Sequence, residues 1–171
     1  MLPFIFFVAC SAVDDKAPST FTPEPTSVGA KNEKALKIVI LGDSLAAGLG
    51  LPEDQAFPNL LNASLQSKET PTQIINAGVS GDTTAGGLSR LEWILSQKPD
   101  LVVIELGAND GMRGVPISDL KANLNAMIMT IKKAGVAVML AAMKLPPNYG
   151  ADYVREFASV YPELADQHQI V

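Results

Sequence analysis

Three short polar clusters carry the residue types that acyl transfer uses. Ser44 stands in Gly42-Asp43-Ser44, Gly81 in Ser80-Gly81-Asp82, and Asn109 in Gly107-Ala108-Asn109-Asp110. A serine hydroxyl is a poor nucleophile unless a base within hydrogen-bond reach takes its proton. Gly81 can offer a backbone N–H with no side chain in the way, and Asn109 can offer its side-chain NH2. With the N–H of Ser44 they could surround a developing oxyanion, each such donor being worth roughly 10²–10³ in rate. Asp43 and Asp110 read as residues that fix their loops rather than as acids in the reaction. The base is harder to find. His168 is the single histidine, two residues after Asp166, and residues two apart on a helix do not face each other. It falls at the tail of a helix, a surface position, and is not expected to be the base.

Each cluster needs a rigid element to position it. The run Lys37-Ile38-Val39-Ile40-Leu41 enters Gly42 as a continuous apolar segment, the mark of a strand buried on both faces of a parallel sheet. Thr72–Asn76 and Leu101–Leu106 read as two further strands, and they run into the Gly81 and Asn109 loops. Val136–Ala142 reads as a fourth, and Gln169-Ile170-Val171 as the start of a fifth. Between them lie helical patterns. One opens at Phe57-Pro58, with the proline suited to the first turn. One carries Leu88, Leu91, Ile94 and Leu95, capped by Ser80 or Asp82, with Trp93 as a packing residue. One carries Ile117, Leu120, Leu124, Ile128 and Ile131 and ends at Gly135. The last carries Val154, Phe157, Val160, Tyr161 and Leu164, and Pro162 is expected to kink or break it. Met127, Met129, Met139 and Met143 read as core filler. Strands alternating with helices predict a three-layer α/β/α domain with a flavodoxin-like parallel sheet, whose chemistry sits at the carboxyl ends of the strands.

The chain has 171 residues and a net charge of −5. One domain is expected, and an acidic balance argues against a nucleic-acid partner. Cys10 is the one cysteine, so no internal disulfide and no cysteine-based metal site is expected. Glycine-rich loops after strands could also cradle phosphate, as in a nucleotide-binding α/β module. Neither G-x-G-x-x-G nor G-x-x-x-x-G-K-[ST] is present to support that alternative, and no cofactor is implied.

At the amino terminus, residues 1–10 hold a short apolar run, Leu2–Ala9, of the kind found in export signals. Residues 11–34 hold Pro18, Pro23 and Pro25 among polar residues without periodicity, a composition that predicts a disordered linker. The domain is expected over 35–171.

The three clusters, in this order and each after a strand, resemble the motif blocks of the GDSL (SGNH) hydrolases, and within them the bacterial thioesterase, lysophospholipase and arylesterase subgroup. The resemblance runs from about Leu36 to Val171. It implies Ser44 as nucleophile, Gly81 and Asn109 as oxyanion donors, and small acyl esters or thioesters as substrates. It places Gly111–Pro116 and Leu145–Gly150 along the acyl pocket, with Arg113 either a solvated charge or a substrate contact. The family's base and its orienting carboxylate come from an Asp-x-x-His block after a fifth strand, and these 171 residues contain no such block. The chain therefore reads as a hydrolase domain incomplete at its carboxyl end, lacking the fifth strand and last helix, and poorly active or a non-catalytic remnant. Phe7-Val8-Ala9-Cys10 resembles the cleavage box of bacterial lipoproteins, which implies export and a membrane tether through Cys10. An ordinary periplasmic export signal with an incidental Cys10 is the alternative.

Overall fold

The computed structural model of the protein describes residues 34–68 and 70–171. The expected signal, Cys10 and nearly all of the expected linker lie outside them. Lys34, the last residue of the expected linker, pairs its ammonium with Asp100 at 2.9 Å.

The sheet has four parallel strands: β1 Leu36–Gly42, β2 Thr72–Gly78, β3 Leu101–Glu105 and β4 Ala137–Leu140. Their order is β2-β1-β3-β4, with β1 central as its unbroken apolar run requires, and this is the beginning of a flavodoxin-like order. Alternate β1 residues face opposite ways. Val39 and Leu41 join the larger core with Val102, Ile104 and the inner faces of helices α6 Ile117–Lys133 and α7 Ala151–His168. Ile38 and Ile40 join a smaller cluster with Leu65 of α2, Phe57–Ser67. These are the three expected layers.

The register sets the site. Gly42 pairs with Gly78 of β2 and with Glu105 of β3, so three strands end level and release their loops side by side.

Several local expectations are corrected. The helix after β2 is two, α3 Thr84–Ser89 and α4 Leu91–Ser96, because Arg90 between them turns its guanidinium back under the sheet end. The cap of α3 is Thr83, whose hydroxyl accepts the Gly86 N–H, not Ser80 or Asp82. Trp93 is 51% exposed and Met129 56%, so neither fills the core, and Met139 also faces outward, whereas Met127 and Met143 are buried. Pro162 does not end α7. A proline inside a helix forfeits one backbone bond, but Phe157, Val160, Tyr161 and Leu164 bury one continuous face across it and hold the helix together. At the carboxyl end, Leu140 on the outer edge of β4 donates to the Val171 carbonyl at 2.7 Å. That is a single ladder bond where a strand had been expected to begin. Gly135, at φ +75°, ends α6 as predicted, and the Val136 N–H returns to the Ile131 carbonyl.

Candidate active site

Asp43 is buried and caps the four-residue helix α1, Ser44–Ala47. Its Oδ1 accepts the Leu45 N–H at 2.9 Å, and Oδ2 accepts from Asn109 Nδ2 at 3.2 Å. Ser44, the first residue of α1, therefore has its direction set by an aspartate locked on both oxygens. Close packing locks the helix from behind. A Cβ on Gly78 would lie 2.3 Å from the Ala47 nitrogen, so only glycine lets β2 and α1 approach this closely. Asn76 adds a 2.7 Å bond from Nδ2 to the Ala46 carbonyl.

Gly81 sits at φ +80°, in the left-handed region where a side chain is strained. Arg113, at the end of α5, Ala108–Met112, donates from Nη2 to the Gly81 carbonyl at 2.8 Å. Of the two sequence-based readings of Arg113, solvated charge or substrate contact, the geometry gives neither outright. The guanidinium is exposed, and it clamps the glycine loop.

Asn109 ties the clusters together. Its Nδ2 donates to the Asp82 carbonyl at 2.9 Å as well as to Asp43. One amide thus joins the residue before Ser44 to the residue after Gly81. Asp110 next to it is buried and accepts from both the Thr84 N–H, at 2.9 Å, and the Thr84 hydroxyl, at 2.6 Å. Both aspartates fix loops, as expected from sequence.

Two residues passed over in the sequence lie at the heart of this arrangement. Arg90 donates to Asp82 Oδ2 at 2.9 Å, the Ala77 carbonyl at 2.6 Å and the Gly42 carbonyl at 3.1 Å, buttressing the ends of β1 and β2 at once. Glu105 ends β3 and is 6% exposed. Its Oε2 accepts the Asp43 N–H at 3.3 Å, while Oε1 is buried without a partner. Burial, and next to it the negative charge of Asp43, push this carboxyl up to about 7. The one sequence signal was a charged residue inside an otherwise apolar strand.

His168 closes α7, where its Nε2 lies 2.6 Å from Asn125 Oδ1 of α6. Among the described residues no histidine or carboxylate hydrogen-bonds to Ser44 Oγ, and no three His, Cys, Asp or Glu side chains come together as metal ligands would. Beside the acyl-pocket loops, Leu145 is buried against Gly111, and the Tyr153 hydroxyl donates to the Val115 carbonyl at 3.1 Å.

The three-layer fold thus gathers a serine turn, a glycine loop and an asparagine loop at the carboxyl edge of its parallel sheet. Residues 40–171 match the GDSL-like lipase/acylhydrolase family, and the chain belongs to it. It is 43% identical over 144 residues to an arylesterase of Vibrio mimicus, covering 84% of this chain and 72% of that one. It is 40% identical over 134 residues to the thioesterase 1/protease 1/lysophospholipase L1 of Escherichia coli K12, covering 78% of this chain and 63% of that one. Its fold is similar to the crystal structure of AlinE4, an SGNH-hydrolase family esterase, with a TM-score of 0.77 and 40% identity over 80% of this chain and 74% of that one.

Proposed function

We propose that the chain carries the nucleophile and oxyanion donors of a serine hydrolase for acyl esters or thioesters. Ser44 Oγ attacks the acyl carbonyl, its proton passes to a base, and the new oxyanion takes hydrogen bonds from the N–H groups of Ser44 and Gly81 and from Asn109 Nδ2. Collapse expels the alcohol or thiol, which takes the proton, and water then frees the acid. The observation that carries this reading is the Asn109 amide bridging Asp43 and Asp82. Both of its N–H groups are engaged at rest. The 3.2 Å bond to Asp43 is the longer, so that is the one to release when the oxyanion forms. Arylesterase, thioesterase and lysophospholipase among the relatives' names support an acyl ester or thioester substrate.

The described residues bring no base to Ser44 Oγ. The family resemblance assigns it to an Asp-x-x-His block, and residues 1–171 contain none. In a serine protease the loss of the histidine alone costs roughly 10⁶ in kcat. The 171-residue chain should therefore hydrolyse p-nitrophenyl acetate hardly above background. Joining to it a downstream strand, Asp-x-x-His loop and helix from a relative should restore turnover. In that protein Ser44→Ala should abolish activity and His168→Ala leave it unchanged. Full activity of the 171-residue chain, lost on His168→Ala, would overturn the assignment. No turnover in the extended protein would leave a non-catalytic remnant.

Export, to the periplasm or to a membrane through a lipidated Cys10, rests on the sequence pattern of residues 1–10 alone. No helix among the described residues is long and apolar enough to cross a membrane. The mass of the mature amino terminus tests this: diacylglycerol on Cys10 supports the tether, and an unmodified end refutes it.

A further inference from the structure

A buried carboxyl with one oxygen unpartnered calls for an account wherever it occurs, because taking such a group from water without full hydrogen bonding is costly. Glu105 is that group here. It sits beneath the peptide that leads into the nucleophile turn. A Cβ added to Gly42 would meet Glu105 Oε2 at 2.5 Å and the Ala46 methyl at 2.5 Å, so the carboxyl fills the space between strand end and helix. The Gly42–Asp43 peptide is gripped from both sides. Its carbonyl accepts from the Val79 N–H at 3.0 Å and from Arg90 at 3.1 Å, and its N–H donates to Glu105 Oε2.

We propose that Glu105 is a positioning residue for Ser44, its carboxyl gripping the Asp43 N–H and so holding the turn that aims the hydroxyl. The proposal rests on the reading of Ser44 as the nucleophile. The neutral form does the holding. Oε2 accepts from Asp43, so the proton sits on Oε1, and no second negative charge then lies beside the buried Asp43. Ionisation puts two carboxylates side by side under a helix end that must receive an oxyanion. The backbone N–H groups of Asp43 and Ala46 favour the ionised form, but burial and the Asp43 charge outweigh them. From the α1 cap comes Asp43, whose charge opposes ionisation of Glu105. From α7 comes Tyr161, whose hydroxyl is spent on the Leu106 carbonyl and whose own acidity is suppressed by burial, Asp110, Asp43 and Glu105. Between α3 and α4 comes Arg90, its guanidinium spent on Asp82 and two carbonyls. Past the end of β4, Ala141, whose N–H donates to the Ile104 carbonyl, carries no charge.

The test reads the reactivity of Ser44 directly. An alkyl fluorophosphonate forms a P–O bond with Ser44 Oγ and releases fluoride, and the serine proton passes to imidazole supplied as external base. Labelling rates are measured by mass at pH 6 and pH 8.5 for the wild-type chain, Glu105→Gln, Glu105→Ala and Ser44→Ala. Amide spectra of Asp43 are recorded in parallel. We expect the ratio of wild-type to Glu105→Gln rates to fall severalfold from pH 6 to pH 8.5, since glutamine mimics the neutral acid at every pH. Glu105→Ala should label about tenfold more slowly at both, the worth of one buried hydrogen bond, and its Asp43 amide should lose hydrogen-exchange protection that Glu105→Gln keeps. A flat ratio, or Glu105→Ala equal to Glu105→Gln in rate and Asp43 protection, overturns the positioning role while leaving the nucleophile intact. Labelling that survives in Ser44→Ala, or is absent from the wild type, overturns the nucleophile reading instead. In that case the Asp43 amide alone decides whether Glu105 holds the turn, and equal protection in all variants refutes it.

Discussion

Replacing Glu105 with glutamine should change how stability depends on pH, by an amount the structure sets. In the fold the carboxyl is held up to about 7, against 4.5 for the free group, chiefly by burial and then by the Asp43 charge. The unfolded chain therefore gives up this proton first. Below pH 4.5 both states are protonated and the group costs nothing. Between the two values the folded state holds more protons than the unfolded state, and stability falls as pH rises. Above about 7 both are ionised and the loss is complete. A shift of about 2.5 units at 1.36 kcal/mol per unit makes it about 3 kcal/mol, with a slope near 1.4 kcal/mol per pH unit in between. Glutamine cannot ionise. The stability of Glu105→Gln minus that of the wild type should thus rise by about 3 kcal/mol from pH 4.5 to pH 8, whatever its value at pH 4.5. Urea unfolding in a pH series measures it, with the midpoint and slope fitted at each pH. A difference constant to within ~0.5 kcal/mol across that range would mean that Glu105 is solvated or paired in solution, and the reasoning would fail.

Four other substitutions probe the frame. Gly78→Ala should destabilise by about 1–3 kcal/mol or more, because the new methyl meets the α1 backbone rather than a flexible side chain. Gly50→Ala, with open space but φ +82°, should lose only about 1 kcal/mol of backbone strain, and equal thermal shifts for the two would contradict the close-packing argument. Asp110→Ala leaves the Thr84 N–H and hydroxyl without their buried acceptor and should lose about 3 kcal/mol in chemical denaturation; a loss below ~1 kcal/mol would show that the loop does not depend on it. Arg113→Ala, at an exposed side chain, should move stability by no more than ~0.5 kcal/mol yet slow phosphonylation of Ser44, since the Gly81 carbonyl loses its clamp. An unchanged labelling rate would return Arg113 to the role of a solvated charge.

Much of the frame was legible because it depends on local pattern. An unbroken apolar run ending in glycine reads as a strand buried on both faces, and so it is. Pro58 and Gly135 mark a helix start and a helix end through backbone geometry that any context respects. Helix integrity was less legible. Pro162 breaks a helix in isolation, yet the buried face of α7 outweighs one lost bond. Arg90 looks like a surface residue in a helical pattern, yet it splits the helix because its side chain has three acceptors to reach beneath the sheet. Trp93 and Met129 have the composition of core residues and lie on outward faces, because residue type sets what burial would be worth and not which face the packing selects.

By itself the sequence determined the strand–helix alternation, the three polar clusters and their placement after β1, β2 and β3, since these follow from period, turn residues and order along the chain. Tertiary structure alone decided that Gly42, Gly78 and Glu105 end in one register, that Asn109 spans Asp43 and Asp82, and that Arg113 closes on Gly81. It alone turned Glu105 from a charged residue near the end of a strand into a buried acid beneath the serine. Such relations join residues tens of positions apart, and their energies come from burial and from hydrogen bonds that exist only once the sheet has formed.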